Sequence, residues 1–380
     1  MDVEIIERII NSKKLNYNKM TELVRPYIEG GRFRGNTNNN NVTIYIDINN
    51  VIKQLYSPQV SENFTHLKTK NRLNLVVELV NIIGHYRHFF ASRLNMHSRF
   101  FLFYSDKESI YHTSFDPDYK KEYYKKMNED NITYRDINKT ISITLELVKT
   151  IVKYIPNAYY IDTYKIEPTI LPYYIMEKTT IDNENDYSLI VSNDKIYRQL
   201  LDYKDRLLLL ELRGSEKSKV ISKENIKGEI FSSSTKKDIN DFMNIDSGII
   251  DIFNLFSDHK DQEYKSISGY GPVTTIKLLD RMIEDTKLSP LKEYNNETLL
   301  RDTFKDYLKE EKLEELIKRF KLFDQKHIVD EIDGSKIQNI LSSQIIDFND
   351  PLEIKRLNDE LFINSFINID YLFEGEINRN

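Results

Sequence analysis

Short continuous apolar runs alternate with longer amphipathic stretches over the first two-thirds of the chain. Val42-Thr43-Ile44-Tyr45-Ile46 is largely β-branched and closes on Asp47. Arg99 to Tyr104 is a second such run, followed by Ser105-Asp106, and Ala158 to Ile161 is a third. Tyr187 to Val191, ending in Ser192-Asn193-Asp194, is a fourth, and Leu207 to Leu212 a fifth. Runs of this kind, without polar alternation, predict strands buried on both faces. Between them, apolar residues at helical spacing predict a helix over about 71–94, carrying Leu73, Leu75, Val76, Leu79, Val80 and Ile83, and another over about 139–155. Strands alternating with helices predict an α/β fold, a parallel twisted sheet flanked by helices. From about residue 240 onward the pattern is helical.

This divides the chain into four parts. Residues 1–36 form a helical extension, with Ile5, Ile6, Ile9 and Ile10 at helical spacing and Gly30-Gly31 as its stop. A polar, Asn-rich linker leads into the α/β domain over 42–240, which is followed by a helical region over 241–340 and a helical tail over 341–380. The 380 residues suffice for one large domain or two small ones. A charged fraction of 30% and 25 tyrosines mark a folded chain rather than a disordered one. The net charge of −6 argues against general coating of nucleic acid, yet leaves room for a local basic face beside clustered acids. With no cysteine, disulfides, zinc–thiolate sites and thiol nucleophiles are excluded. The first residues carry no basic, apolar leader, and no run of about 18 apolar residues occurs, so no membrane is expected and a cytoplasmic setting is. The Asn, Ile, Lys and Tyr bias suggests an AT-rich genome such as that of a phage or virus, whose setting would be the host cytoplasm.

The chemistry lies in where the acids fall. Asp47, Asp106 and Asp194 each stand at or just after a strand end, and Glu167 follows a further strand closely. Sites in parallel sheets form at the carboxyl ends of the strands. Four carboxylates brought to one edge repel unless a cation neutralises them, and hard oxygen ligands select Mg2+ or Mn2+. The competing reading is four unrelated caps and turns, because Asp is common in both. The stretch from Ser257 to Leu279 adds weight to a metal. Asp258 and Asp261 stand three residues apart, before Gly269-Tyr270-Gly271-Pro272 and an amphipathic run. The glycines permit close backbone approach, Pro272 suits a first helical turn over Val273 to Met282, and such a turn offers amides to phosphate.

With these residues in place, the chain resembles the flap endonuclease and phage 5′-nuclease family, a branch of the PIN-like nucleases. Tyr45-Ile46-Asp47-Ile48-Asn49-Asn50 resembles the family's opening strand, and Phe103-Tyr104-Ser105-Asp106 its second metal-binding strand end. Tyr119-Lys120, with more Lys and Tyr after it, resembles the helical arch, and Lys165-Ile166-Glu167 the acidic helix start. Ser192-Asn193-Asp194-Lys195 through Gln199-Leu200-Leu201 resembles the family's Ser-x-Asp-Lys-Asp-x-x-Gln-Leu-Leu element. Asp258 and Asp261 resemble its Gly-Asp-x-x-Asp pair, and Gly269 to Pro272 its helix–three-turn–helix. Arg319 to Asp324, followed by His327-Ile328, resembles a segment found after that element in phage members. The match runs in order over about 42–330. It departs at Thr169 and Ile196, where the family carries further acids, and at Tyr123, where it carries Arg.

The resemblance implies a PIN-like nuclease domain followed by a helix–three-turn–helix duplex-binding region. It implies a Mg2+- or Mn2+-dependent 5′–3′ exonuclease or flap endonuclease, with two ions. Asp47, Asp106, Glu167 and Asp194 would hold the first, Asp258 and Asp261 the second, and Lys120 would act beside them. Tyr119, Lys120, Lys121, Lys125, Lys126, Gly269, Tyr270, Gly271 and Thr274 would contact DNA, with K+ at the Gly269–Gly271 turn. The expected partner is branched, nicked or 5′-ended duplex DNA, or an RNA–DNA hybrid, bound by a monomer. The alternatives are a catalytically degenerate fold that binds branched DNA or serves as a virion component, and an RNA-directed nuclease. Outside the motif, His85, His88, His97 and His112 are candidates for a metal or a base, but His85 and His88 share one helix face with no third ligand, which favours plain helix-surface histidines; Lys217 to Lys237 reads as a mobile loop. No Gly-x-Ser-x-Gly elbow occurs.

Overall fold

The computed structural model of the chain describes residues 17–29, 41–55, 68–105, 107, 109–121, 132–183, 186–212, 218–226, 249–257, 264–289, 294, 296–346, 350–360 and 368–374. Helix α1 (Tyr17–Glu29) precedes β1 (Asn41–Asp47), α2 (Ile48–Leu55) and α3 (Lys68–His88), whose last turn widens into a π-helical segment, Phe89–Arg93. Next come β2 (His97–Tyr104), α4 (Ile110–Phe115), α5 (Ile132–Val152) and β3 (Ala158–Asp162). A 3-10 turn (Pro168–Ile170) opens α6 (Leu171–Lys178); β4 (Tyr187–Val191), a 3-10 helix (Lys195–Asp202), β5 (Leu207–Glu211) and β6 (Lys219–Ile221) complete the sheet.

The strand order is β3-β2-β1-β4-β5-β6. The first five strands pair in parallel, and β6 pairs antiparallel with β5 through Leu209↔Ile221. The expected parallel sheet is thus present with an antiparallel edge strand, and that strand falls within the Lys217–Lys237 stretch read as a loop. Three residues between Ser and Lys are too few for a strand pattern; pairing to β5 makes the strand.

Alternate residues of each strand serve two separate cores. Tyr45, Phe101, Phe103, Ile161 and Ile190 face one, whereas Ile44, Ile46, Phe100, Leu102 and Val191 face the other. Burial on both sides is why the strands read as unbroken apolar runs.

The second core is closed by α3 and α5, with Val24 of α1 and Leu372 and Phe373 of α14 (Ile369–Phe373). Gly84 lets α14 approach α3: a Cβ there would meet Leu372 Cδ2 at 3.3 Å and Tyr371 Cβ at 3.4 Å. The buried Arg87 guanidinium donates to the carbonyls of Leu372 and Pro156 and lies 5.3 Å from the centre of the Phe100 ring. His85 and His88, expected on a helix surface, are half-buried there beside this helix. His88 stacks on Tyr371 at 3.9 Å and contacts Glu374, and His85 meets Tyr371 edge-on.

The first core runs without a break from the sheet into the helical region. That region comprises α7 (Ile250–Phe256), α8 (Pro272–Glu284), α9 (Glu297–Phe304), α10 (Glu310–Phe323), α11 (Gln325–Glu331) and α12 (Gly334–Gln344), ahead of α13 (Pro351–Glu360). The change of pattern near residue 240 is therefore no division of the apolar core.

Candidate active site

β1 connects to β2 on one side and β4 to β5 on the other, which opens a crevice at the carboxyl ends of β1 and β4. Asp47 ends β1 there, 2% exposed, with Ile46 in register with Val191. Its Oδ2 accepts from Ser192 Oγ at 3.0 Å, Tyr197 Oη at 3.1 Å and Asn50 Nδ2 at 2.9 Å, and its Oδ1 from Asn50 N at 3.2 Å. Asp194 caps the 3-10 helix, with Oδ1 accepting from Ile196 N at 3.0 Å, and its own N–H donates to Ser192 Oγ at 3.1 Å. Capping by both carboxylates is real, and it gathers the two residues instead of scattering them, because Ser192 joins the Asp47 carboxylate to the Asp194 backbone N–H.

Glu167 precedes the Pro168–Ile170 turn and is buried. Its Oε1 accepts from Lys120 Nζ at 2.8 Å and its Oε2 from Tyr119 Oη at 3.4 Å. Lys120 reaches it from a left-handed backbone, φ +50°. Tyr119, expected to meet DNA, is 1% exposed and stacked on His112 at 4.5 Å, so its ring is closed to a base. His112 is likewise buried, not on a surface: Ser109 Oγ meets its Nδ1 at 2.8 Å and Leu322 O its Nε2 at 3.0 Å. Burial pulls its pKa down to about 4, so the ring stays neutral and its Nε2–H donates to Leu322.

Tyr197 ties the acids together. Its hydroxyl is held well above the usual phenol range, first by burial and then by the negative charges of Asp47, Asp194 and Glu167. Carboxylates from β1, from the turn after β4 and from the turn after β3 thus act on one buried phenol.

The chain is similar to solved bacteriophage 5′-nuclease structures. The bacteriophage T5 D15 protein co-crystallised with metal ions aligns at TM-score 0.49 and 11% identity, over 86% of this chain and 100% of that one. The T5 flap endonuclease in a pseudo-enzyme–product complex with DNA and metal ions aligns at 0.48 and 12%, over 84% and 99%. The T5 5′-exonuclease with zinc bound aligns at 0.45 and 11%, over 84% and 98%. No protein-family model and no curated protein matches the chain.

Asp106, Asp258, Asp261, Lys125 and Lys126 lie outside the described residues. Among the described residues, no group of three or more acids or histidines is close enough to hold a metal alone. Thr169 and Ile196, at positions where the family carries acids, are both buried. Lys121 is exposed and paired with Asp118 at 2.6 Å.

At the glycine turn, Gly269 adopts φ +87°, a region that suits glycine. A Cβ at Gly269 or Gly271 would meet nothing within 4 Å, so the backbone there is open to approach. Tyr270 packs against Phe256, and Thr274 is exposed on the first turn of α8.

Three buried residues hold this frame: Gln199 and Arg319, which fall in the motifs quoted above, and Gln325, which no motif singled out. Gln199 donates to Ile196 O at 2.8 Å and Phe323 O at 2.9 Å, and its Oε1 accepts from Gln325 N at 2.9 Å. Gln325 donates to Thr169 O at 2.9 Å. Arg319 donates to Leu255 O at 3.2 Å, to Ser257 O at 2.9 Å and to Lys265 O. In the sequence Gln325 sits among Asp324, Lys326 and His327, and Gln199 follows Arg198, so no local pattern marks either as buried; the partners that a buried polar side chain needs lie far along the chain.

Proposed function

We propose that the chain is a divalent-metal-dependent phosphodiesterase that hydrolyses DNA at 5′ ends, flaps or nicks. The observation that carries this reading is the placement of three buried acids at the carboxyl edge of the sheet: Asp47 bonded to Ser192 and Tyr197, Asp194 bonded to the same Ser192 through its N–H, and Glu167 paired with Lys120. Carboxylates so placed favour a cation among them, and their hard oxygens suit Mg2+ or Mn2+. Asp47, Glu167 and Asp194, completed by Asp106, would hold one ion, and Asp258 with Asp261 a second. A bound ion supplies Lewis acidity and a water acidic enough to attack phosphorus. Ser192, Tyr197 and Asn50 fix the orientation of Asp47, and Lys120 is the cation that would offset charge on the scissile phosphate. The open backbone at Gly269–Gly271 and the exposed Thr274 would meet the duplex, with K+ at that turn.

The test is hydrolysis of a panel of 5′-flap, nicked, single-stranded and RNA–DNA hybrid substrates with Mg2+ or Mn2+. Cleavage of flapped or nicked DNA is expected, and its loss in the double variant Asp47→Ala, Asp194→Ala. Full activity in that variant, or cleavage indifferent to chelators, would overturn the mechanism. Tight binding of branched DNA without cleavage under either ion would mark a non-catalytic role.

A further inference from the structure

With Tyr119 buried, an exposed aromatic ring is found instead in the turn that leads to Glu167. Tyr164 stands between the end of β3 and Glu167, with 57% of its surface exposed. Its backbone is left-handed, φ +55°, at a cost of about 1 kcal/mol for a residue with a Cβ. Of the five non-glycine residues in this conformation among those described, Asn95 and Asn157 are the tolerant type, and Asn is abundant in this chain. Lys120, Tyr164 and Thr286 are not; Thr286 follows the end of α8, whereas Tyr164 lies just before Glu167 in the chain and the Lys120 side chain reaches that carboxylate.

The turn that presents Tyr164 is rigidly tied. Tyr164 N donates to Asp162 Oδ1 at 2.9 Å, Ser105 Oγ donates to Tyr164 O, Ile166 N to Thr163 O at 3.1 Å, and Ile110 N to Lys165 O at 3.1 Å. A large ring is thus held out in water on a strained, immobilised backbone. Lys165 Nζ lies 5.5 Å from the ring centre, Lys107 is exposed, and Ile110, 61% exposed, starts the helix hydrogen-bonded to the same turn. A ring more than half exposed, with the Lys165 ammonium over one of its faces, matches an unpaired nucleobase with its phosphates. A paired base inside a duplex has no free face to offer.

We propose that Tyr164 is a stacking platform for an unpaired nucleobase next to the phosphodiester held at the carboxylates, a subsite that rests on the nuclease reading above. Strained outliers of this kind persist where function keeps them.

The test uses the full chain in Ca2+ and a 5′-flap DNA carrying 2-aminopurine at the first unpaired position, against the blunt duplex of the same sequence. Tyr164→Asn suits the left-handed backbone while removing the ring, and Tyr164→Phe keeps the ring. We expect Tyr164→Asn to weaken flap binding by about 5- to 100-fold, to lose the change in 2-aminopurine fluorescence, and to leave blunt-duplex affinity unchanged. Tyr164→Phe should behave as wild type, and thermal unfolding of both variants should show the fold intact. Equal flap affinity in Tyr164→Asn and wild type overturns the platform alone. A wild-type chain that neither binds nor cleaves flapped DNA overturns the nuclease reading and the platform with it.

Discussion

Gln199 and Gln325 meet in the buried seam between the sheet and the helical region, the N–H of Gln325 donating to Gln199 Oε1 at 2.9 Å. Through them the bend between α10 and α11 is bonded to the Asp194 turn at Ile196 and to the Glu167 turn at Thr169. His112 adds a third bond to that bend at Leu322. The turns that carry the acids are therefore indexed against one short stretch of helical backbone.

Gln199→Leu keeps the volume and removes these bonds. It leaves the Gln325 N–H and the Phe323 carbonyl buried without this partner, and each such group costs about 1–3 kcal/mol. A loss of about 2–4 kcal/mol is expected in urea unfolding. Cleavage should fall more than ground-state DNA binding, since the turns would shift relative to one another.

Lys120→Ala removes the cation paired with Glu167 and relaxes nothing at the backbone, because alanine tolerates φ +50° no better than lysine. If Lys120 offsets charge on the phosphate, kcat should drop by about 100-fold or more while the affinity for blunt duplex changes little. Single-turnover kinetics would separate the two. An unchanged rate would reduce Lys120 to a structural ion pair.

The buried His112 gives the chain an acid-sensitive stability. Its pKa is lowered from 6.5 to about 4 by burial, so between those values the unfolded chain binds a proton that the folded chain does not. This contribution is fully present above about pH 6.5 and is lost as pH falls toward about 4, amounting to about 3 kcal/mol. Denaturant midpoints measured from pH 7 to 4.5 should fall accordingly, and His112→Gln should flatten that slope. A parallel slope in the variant would assign the acid sensitivity to other groups.

Gly84 sets how closely α14 lies on α3. Alanine there gains up to about 1 kcal/mol in helix propensity and meets Leu372 at a tight 3.3 Å, so the net effect should be small. Leucine cannot fit, and Gly84→Leu should lift α14 off α3 and make the C-terminal segment sensitive to protease. Limited proteolysis followed by mass spectrometry reads this directly, and an uncut segment would refute it.

The strands were legible because burial on both faces writes itself as unbroken apolar runs, and Asp47 and Asp194 stand where β1 and the turn after β4 end. Strand β6 was not, since three residues beside a Ser- and Lys-rich stretch gain their structure only by pairing with β5. Tyr119 was misread for a related reason. A Tyr-Lys-Lys run looks solvated, but the turn from Asp116 to Lys120 rotates Tyr119 inward onto His112 and Lys120 onto Glu167. The hub residues Gln199 and Gln325 were invisible as partners, being more than a hundred positions apart in the chain.

Helix α1 and helix α14 both pack on the face of the sheet opposite the one that is continuous with the helical region. A probe on an outward-facing residue of either helix therefore reports from behind the sheet, apart from the core that positions the acids, and is a suitable place for a fluorophore when DNA binding is measured.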